Sequence, residues 1–231
     1  MATRRTSVKT NLWGLIFVAP AVAFFVVFSI FPILYGFYLS LTRYNLLTPP
    51  VWVGLDNFFA LPRDFLFVKA FWNTIWFVIG TTIPVWFASL ALAVLFDRKF
   101  PGREVLKAFV FLPVLPPLVV VGIVWMVLMH PNGVFTSLFG LFTGQSEIQW
   151  LTSVQLAPIS MIIINNWATI PFFMVIWLAG LAGIPKDLSE AAQIDGANAW
   201  TTFWRVEFPL LRGTSVLVAC LATINSFQAF G

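Results

Sequence analysis

Residues able to do covalent or acid–base chemistry are few in this chain. The single histidine, His130, stands beside Pro131-Asn132-Gly133, a turn signature, with no cysteine near it. The single cysteine, Cys220, lies in an apolar run with no second sulfur to pair with and no metal-ligand spacing, so it reads as a small packing residue. No Ser-His-Asp or Cys-His arrangement can be assembled from these residues. No G-x-x-x-x-G-K-[ST] phosphate loop occurs either, so the chain has no means of hydrolysing a nucleotide by that route. Within its long apolar runs the polar groups are all neutral: Asn73, Thr74, Thr81, Thr82, Ser89, Ser160, Asn165, Asn166, Thr169, Thr214, Ser215, Thr223, Asn225, Ser226 and Gln228. Amides and hydroxyls both donate and accept hydrogen bonds, which suits an uncharged, hydroxyl-rich solute. The same groups can instead join helix to helix, an interaction of about 0.6–2 kcal/mol in a bilayer.

The elements that must position these groups are membrane helices. Of 231 residues, 60% are hydrophobic and 10% charged, and the mean hydropathy is +0.92, far outside the balance of a soluble domain. The net charge of +4 does not point to nucleic acid, because the Lys and Arg residues form short clusters beside apolar runs. Five stretches are long enough for the roughly 20 helical residues a bilayer core requires: about 12–41, 71–96, 108–129, 154–184 and 213–231. The expected fold is therefore all-α, a polytopic transmembrane helical bundle. Arg4, Arg5 and Lys9 with Ala19-Pro20-Ala21 imitate a secretory signal, but the apolar run continues to Leu41, well past a core of about 7–15 residues.

Basic residues alternate between the connections. Arg4, Arg5 and Lys9 precede the first span; Arg98, Lys99, Arg103 and Lys107 follow the second; Lys186, Arg205 and Arg212 follow the fourth. The intervening loops hold only Arg43, Arg63 and Lys69. The positive-inside rule then makes residues 1–11 a cytoplasmic N-terminus and puts both basic loops inside. The outer loop contains Val53 to Phe59, a turn leading into an apolar patch that suits an interfacial helix. No Asp, Glu, Lys, Arg or His falls within the five spans, which argues against proton relays and ion sites. The sequence is still apolar at Gly231, and a further hairpin span is expected beyond it.

The loop from residue 185 to 211 is unusual. Pro185 suits a first helical turn, Asp187 and Glu190 lie early, where the helix dipole favours carboxylates, and Gly196 can take the left-handed conformation that ends a helix. Asn198 then caps a second helix that must end near Pro209. Leu188, Ala191, Ala192 and Ile194 on one arm, with Trp200, Phe203, Trp204 and Phe208 on the other, are too apolar for a loop without a partner.

Glu190-Ala191-Ala192, then Asp195-Gly196-Ala197, then Phe208-Pro209, at this spacing and before an apolar span, resembles the EAA loop of the permease subunits of binding-protein-dependent ATP-binding cassette (ABC) importers. Ser40-Leu41-Thr42 with Tyr44-Asn45, Val53 to Phe58, Phe111-Leu112-Pro113 and Leu178-Ala179-Gly180-Leu181 extend the resemblance toward the carbohydrate branch, the maltose- and glycerol-phosphate-type permeases. Val206 and Phe208 stand where Ile and Leu are commoner, and such permeases have a sixth core span.

The resemblance implies a permease domain over 12–231 in the cytoplasmic (inner) membrane. It implies a coupling helix that docks on an ATPase subunit through Glu190, Ala191, Ala192, Asp195, Gly196, Ala197 and Pro209. It implies a mid-membrane solute pathway at Thr169, Phe172, Asn225, Ser226 and Ala229. The partners it implies are a second homologous permease, two ABC ATPase subunits and an extracytoplasmic solute-binding protein. The chain itself would be a non-catalytic conduit for a sugar-like solute without a cofactor, ATP and Mg belonging to the partners. The rival readings are an ion-coupled secondary transporter, which requires an intramembrane charge or a broken-helix ion site, and a membrane-embedded enzyme, which requires an ionisable catalytic pair.

Overall fold

A computed structural model describes residues 8–144 and 147–229. The basic residues Arg4 and Arg5 and the last two residues of the fifth expected span lie outside the described residues. The chain divides into two compact units, Met1–Ala70 and Phe71–Gly231.

In the first unit, α1 (Val8–Phe25), a π-helical turn (Val26–Ile30) and α2 (Phe31–Ser40) follow one another without a break. The run Gly14–Ser40 is 27 residues long, about 40 Å at 1.5 Å per residue, enough to cross roughly 30 Å of hydrocarbon. The π turn has an identifiable cause. Pro32 has no N–H to donate and its ring crowds the carbonyl four residues back; the wider turn answers this, with the Phe31 N–H donating to Val26 O. After α2, β1 (Thr42–Arg43) pairs antiparallel with β2 (Val51–Trp52), Thr42 opposite Trp52. The turn between them is held by Asn45 Oδ1, which accepts from the Leu47 and Thr48 N–H groups at 3.2 and 3.0 Å. The short helix expected in the outer loop is α3 (Asp56–Ala60), tied back by Asn57 Nδ2, which donates to Ser40 O and Thr42 O.

The second unit is the bundle. α4 (Phe65–Asp97) enters it at Phe71 and α8 (Leu156–Ala182) is its other long helix. Between them lie α5 (Arg103–Phe111), a 3-10 turn (Leu112–Val114), α6 (Leu118–Leu128) and α7 (Val134–Thr143). The stretch expected as a span over 108–129 contains two helical segments bent by 101°. Pro116 and Pro117 stand at the break: each removes a backbone donor, and Pro117 is extended at φ −56°, ψ 146°, while Leu115 before them is still helical at φ −76°, ψ −40°. α9 (Lys186–Ile194), α10 (Ala199–Thr202), a second π turn (Phe203–Glu207) and α11 (Phe208–Leu210) form the hairpin. The last helix, α12 (Arg212–Phe227), is bent 72° from the hairpin's second arm. By length and composition the described residues hold three helices able to cross a membrane, or up to five if each bent pair is one span.

Two buried clusters hold this unit. One joins α4 (Val85, Leu90, Ala93, Phe96), α8 (Phe173, Met174, Trp177, Leu181), the hairpin (Phe203) and α12 (Val218, Ala222). The other gathers Val121 and Trp125 of α6 and the following Met129 with Ile148 and Trp150. There Trp150 Nε1 donates to Thr136 Oγ1 at 2.9 Å, Thr136 donates to His130 O, and Ser160 donates to Trp150 O. His130 is a turn residue, its Nδ1 accepting from the Asn132 N–H.

Lipid supplies little hydrophobic drive between helices, so close packing decides. At Gly180 a Cβ would lie 2.5 Å from Thr214 Oγ1 and 3.1 Å from Leu211 Cδ2, so α8 and α12 meet there only because the side chain is absent. Thr214 is β-branched and cannot swing far. Gly180→Ala should therefore lower the thermal midpoint of the purified protein, overpacking costing about 1–3 kcal/mol, although Ala is the better helix former. Gly122→Ala, on an open face of α6, should leave the midpoint unchanged or raise it.

Candidate functional site

The hairpin is specified locally. α9 ends in a Schellman arrangement: the Ala197 N–H donates to Ala192 O at 2.9 Å and the Gly196 N–H to Gln193 O at 3.0 Å. Gly196 sits at φ +87°, a conformation with no steric cost only for glycine. Asn198 is extended and its Oδ1 accepts from the Thr201 N–H at 2.9 Å, capping α10. Asp195-Gly196-Ala197-Asn198 is thus one stop signal and one start signal in succession. Pro209 does in the second arm what Pro32 does in the first span: it follows a phenylalanine, and the Phe208 N–H donates to Phe203 O across the π turn. Ser189 Oγ donates to Glu207 Oε1 at 3.0 Å and pins the two arms together. Glu207 carried no recognisable signal in the sequence, because its partner is 18 residues away across the Gly196 turn.

The arms are embedded very differently. Phe203 is 7% exposed inside the cluster shared by α4, α8 and α12. Phe208 meets Trp86 edge-on at 6.1 Å, and Trp86 meets the fully buried Trp177 at 5.4 Å. Trp204 closes on Phe208 at 5.0 Å and on Phe203 at 5.1 Å. Edge-to-face rings of this kind interact beyond their buried area. The first arm buries no residue, and Ile194 is 87% exposed. Glu190, Ala191, Asp195 and Gly196 are exposed, Ala192, Ala197 and Pro209 half-buried.

A polar cavity of about 190 Å³ opens where the second arm meets the ends of α4 and α8, lined by Asp97, Arg98, Gln193, Thr202 and Glu207 among others. A groove of about 280 Å³ beside α9 is bordered by Lys186, Ser189 and Glu190 as well as Asp97 and Glu207. At the start of α5, Arg103 donates from Nε and Nη2 to Glu104 Oε1 at 2.9 and 2.6 Å. Those hydrogen bonds first, then the guanidinium charge, hold the Glu104 carboxyl below its ordinary range. Among the described residues no group of His, Cys, Asp and Glu is placed to hold a metal ion.

Within the bundle the structure sorts the neutral polar groups. Thr81 of α4 donates to Ser226 of α12 at 2.7 Å, and Ser226 donates to Ala222 O in its own helix. Asn166 Nδ2 of α8 donates to Gly80 O of α4 at 3.0 Å. These three residues join helices, so Ser226, 3% exposed, lies between α4 and α12. Thr169 Oγ1 donates to Asn165 O and is half-buried. Phe172, Asn225 and Ala229 are exposed, and the side chains of Asn165 and Asn225 have no hydrogen-bond partner among the described residues.

The described family model "Binding-protein-dependent transport system inner membrane component" matches residues 80–231, from the middle of α4 through the hairpin and α12. The chain belongs to that family. Relatives agree along nearly its whole length. The permease is 30% identical over 238 residues to the probable starch degradation products transport system permease protein AmyD of Thermoanaerobacterium thermosulfurigenes, covering 100% of this chain and 78% of that one. It is 32% identical to the arabinooligosaccharides transport system permease protein AraP of Bacillus subtilis (strain 168), over 93% of this chain and 69% of that one. It is 30% identical to the trehalose/maltose transport system permease protein MalF of Thermococcus litoralis, over 94% and 74%. A chain in the crystal structure of a bacterial alginate ABC transporter, in complex with alginate pentasaccharide-bound periplasmic protein, shares the fold. Its TM-score is 0.80 at 22% identity, over 93% of this chain and 72% of that one. The permease is therefore a multi-pass membrane subunit of an ABC importer, a translocation component and not an enzyme.

The left-handed turn offers a direct check. Gly196→Val forces a β-branched residue into that conformation, at about 1–2 kcal/mol or more. Amide hydrogen exchange should then speed up across 186–198, while amides of α4 and α8 keep their protection.

Proposed function

We propose that this permease conducts a sugar or sugar-like solute across the cytoplasmic membrane, driven by ATP hydrolysis in partner subunits that grip the 185–211 hairpin. The observation that carries the reading is the asymmetry of that hairpin. Its second arm is sunk in the bundle through Phe203 and Phe208, while α9 leaves Glu190, Ala191 and Ile194 exposed. An arm exposed at one end and anchored at the other transmits a push. Glu190 is the charged contact to the ATPase groove, Ala191 and Ala192 allow close approach, and Asp195-Gly196-Ala197 set the angle between the arms. Pro209 ends the second arm where it turns into α12.

The pathway lies along the faces of α8 and α12 that carry Thr169, Phe172, Asn225 and Ala229, with Ser226 fixing the rotation of α12 against α4. Rings cover the apolar faces of a sugar, and free amides such as Asn225 take its hydroxyls. The relatives named for starch degradation products, arabinooligosaccharides and trehalose/maltose support a carbohydrate cargo. The absence of ionisable residues from the five apolar stretches supports ATP rather than an ion gradient as the energy source. The assembly in this reading is a pseudo-symmetric pair of permeases with two ABC ATPase subunits inside, ATP and Mg bound there, and a solute-binding protein outside. The N-terminus and both basic loops are cytoplasmic.

With the exposed Cys220 replaced by Ser, a cysteine at Ala192 should crosslink to a cysteine in the ATPase groove in membranes. No crosslink in any nucleotide state would contradict the docking. Glu190→Ala should cut uptake by at least about tenfold, the loss of one charged hydrogen bond of about 1.5–3 kcal/mol, with membrane insertion and residual ATPase activity retained. Undiminished uptake would remove that residue's role.

A further inference from the structure

A second opening on the hairpin has a different chemistry. It is an apolar slot of about 350 Å³ between α4 and the second arm. One wall is Phe87, Leu90, Ala91 and Val94, spaced i, i+3, i+4, i+7 along one face of α4. The other includes Trp200 and Trp204, Trp200 being 71% exposed. Arg98, just past the last residue of α4, closes one end. From Phe87 to Arg98 the slot runs about 16 Å at 1.5 Å per residue, hydrocarbon in character along its length and cationic at its tip.

Arg98 has no hydrogen-bond or ion-pair partner among the described residues. It also borders the polar cavity at the hairpin joint, where Asp97 and Glu207 contribute carboxylates and the buried Thr202 Oγ1 is without a partner. Glu207 accepts from Ser189 at Oε1, and its Oε2 has no hydrogen-bond partner among the described residues. The site therefore presents, in order, a hydrocarbon-lined slot, one cation and two anions. A ligand that complements it has an apolar chain, then a phosphate-like anion, then a cation able to donate hydrogen bonds.

We propose that this slot binds an acyl chain of a zwitterionic aminophospholipid, its phosphate on Arg98 and its ammonium group toward Asp97 and Glu207. Guanidinium–phosphate pairing is charge-assisted, and the tryptophans suit the depth of a headgroup. A phosphatidylglycerol headgroup satisfies Arg98 but brings only hydroxyls to the two carboxylates. A choline headgroup carries methyl groups where the carboxylates need N–H donors. The bound headgroup fills the joint between the hairpin and α4, so it braces the same arm that Phe203 and Phe208 anchor.

The test is native mass spectrometry of the full chain, delipidated in detergent and titrated with phosphatidylethanolamine, phosphatidylglycerol or phosphatidylcholine of identical acyl chains. Phosphatidylethanolamine should be retained about tenfold better than the other two, as one charge-assisted hydrogen bond predicts. Arg98→Gln should lower its retention by a similar factor. Asp97→Asn combined with Glu207→Gln should reduce it to the phosphatidylglycerol level, and Ala91→Trp, which fills the slot, should abolish retention of all three. Helical circular dichroism establishes that each variant is folded; should the double variant fail to fold, the unaltered chain and Arg98→Gln still decide. Equal retention of the three lipids, a preference for phosphatidylglycerol, or unchanged binding in Arg98→Gln would overturn the proposal.

Discussion

Everything the hairpin can do depends on how its second arm is seated. Phe203 is buried among residues of α4, α8 and α12, and Phe208 meets Trp86, which meets Trp177. Rings packed edge to face have few alternative arrangements, and well-packed interiors transmit strain rather than absorb it. A force on the hairpin is thereby delivered to the two longest helices of the bundle. The Ser189–Glu207 hydrogen bond extends that rigidity across the turn to the exposed arm.

Backbone accounting explains two features that look irregular. In hydrocarbon a freed carbonyl is costly, so a proline inside a helix must be accommodated within the helix or by neighbours. At Phe31-Pro32 and Phe208-Pro209 the answer is the same: a π turn just before the dipeptide, closed by the phenylalanine N–H. At Pro116-Pro117 two donors are lost in succession, one wider turn cannot answer both, and the helix breaks by 101°. Pro84 and Pro171 stay within α4 and α8.

How much of this was legible in the sequence follows from range. Asp195-Gly196 and Asn198 act on their immediate neighbours, so the turn and the cap of the hairpin were readable from residue type alone. The long apolar runs were readable for the same reason. The rotation of each helix was not: whether a hydroxyl such as Ser226 or Thr169 faces a neighbouring helix or open space is decided by packing such as the Gly180–Thr214 approach. The apolar surface of 185–211 reads in sequence as a surface for a partner, and in the fold Phe203 and Phe208 find theirs within this chain. The α9 side and Trp200 of the second arm remain uncovered. The 101° bend within the stretch 108–129 is local chemistry at Pro116-Pro117, but its size is set by packing that apolar length does not encode.

The most direct measurement of the central claim is a distance between the hairpin and the bundle during turnover. Spin labels at Ile194→Cys and Ile83→Cys, both at exposed positions, can be placed in a chain with Cys220 replaced by Ser and assembled with its partner subunits. If the hairpin is a rigid extension of α4 and α8, the pulsed-resonance distance should stay constant to within about 2 Å between nucleotide-free and ATP-bound states, as in rigid-body transitions. A shift of a helical turn, about 5 Å, would mean that the hairpin swings independently of the spans, and the account would fail.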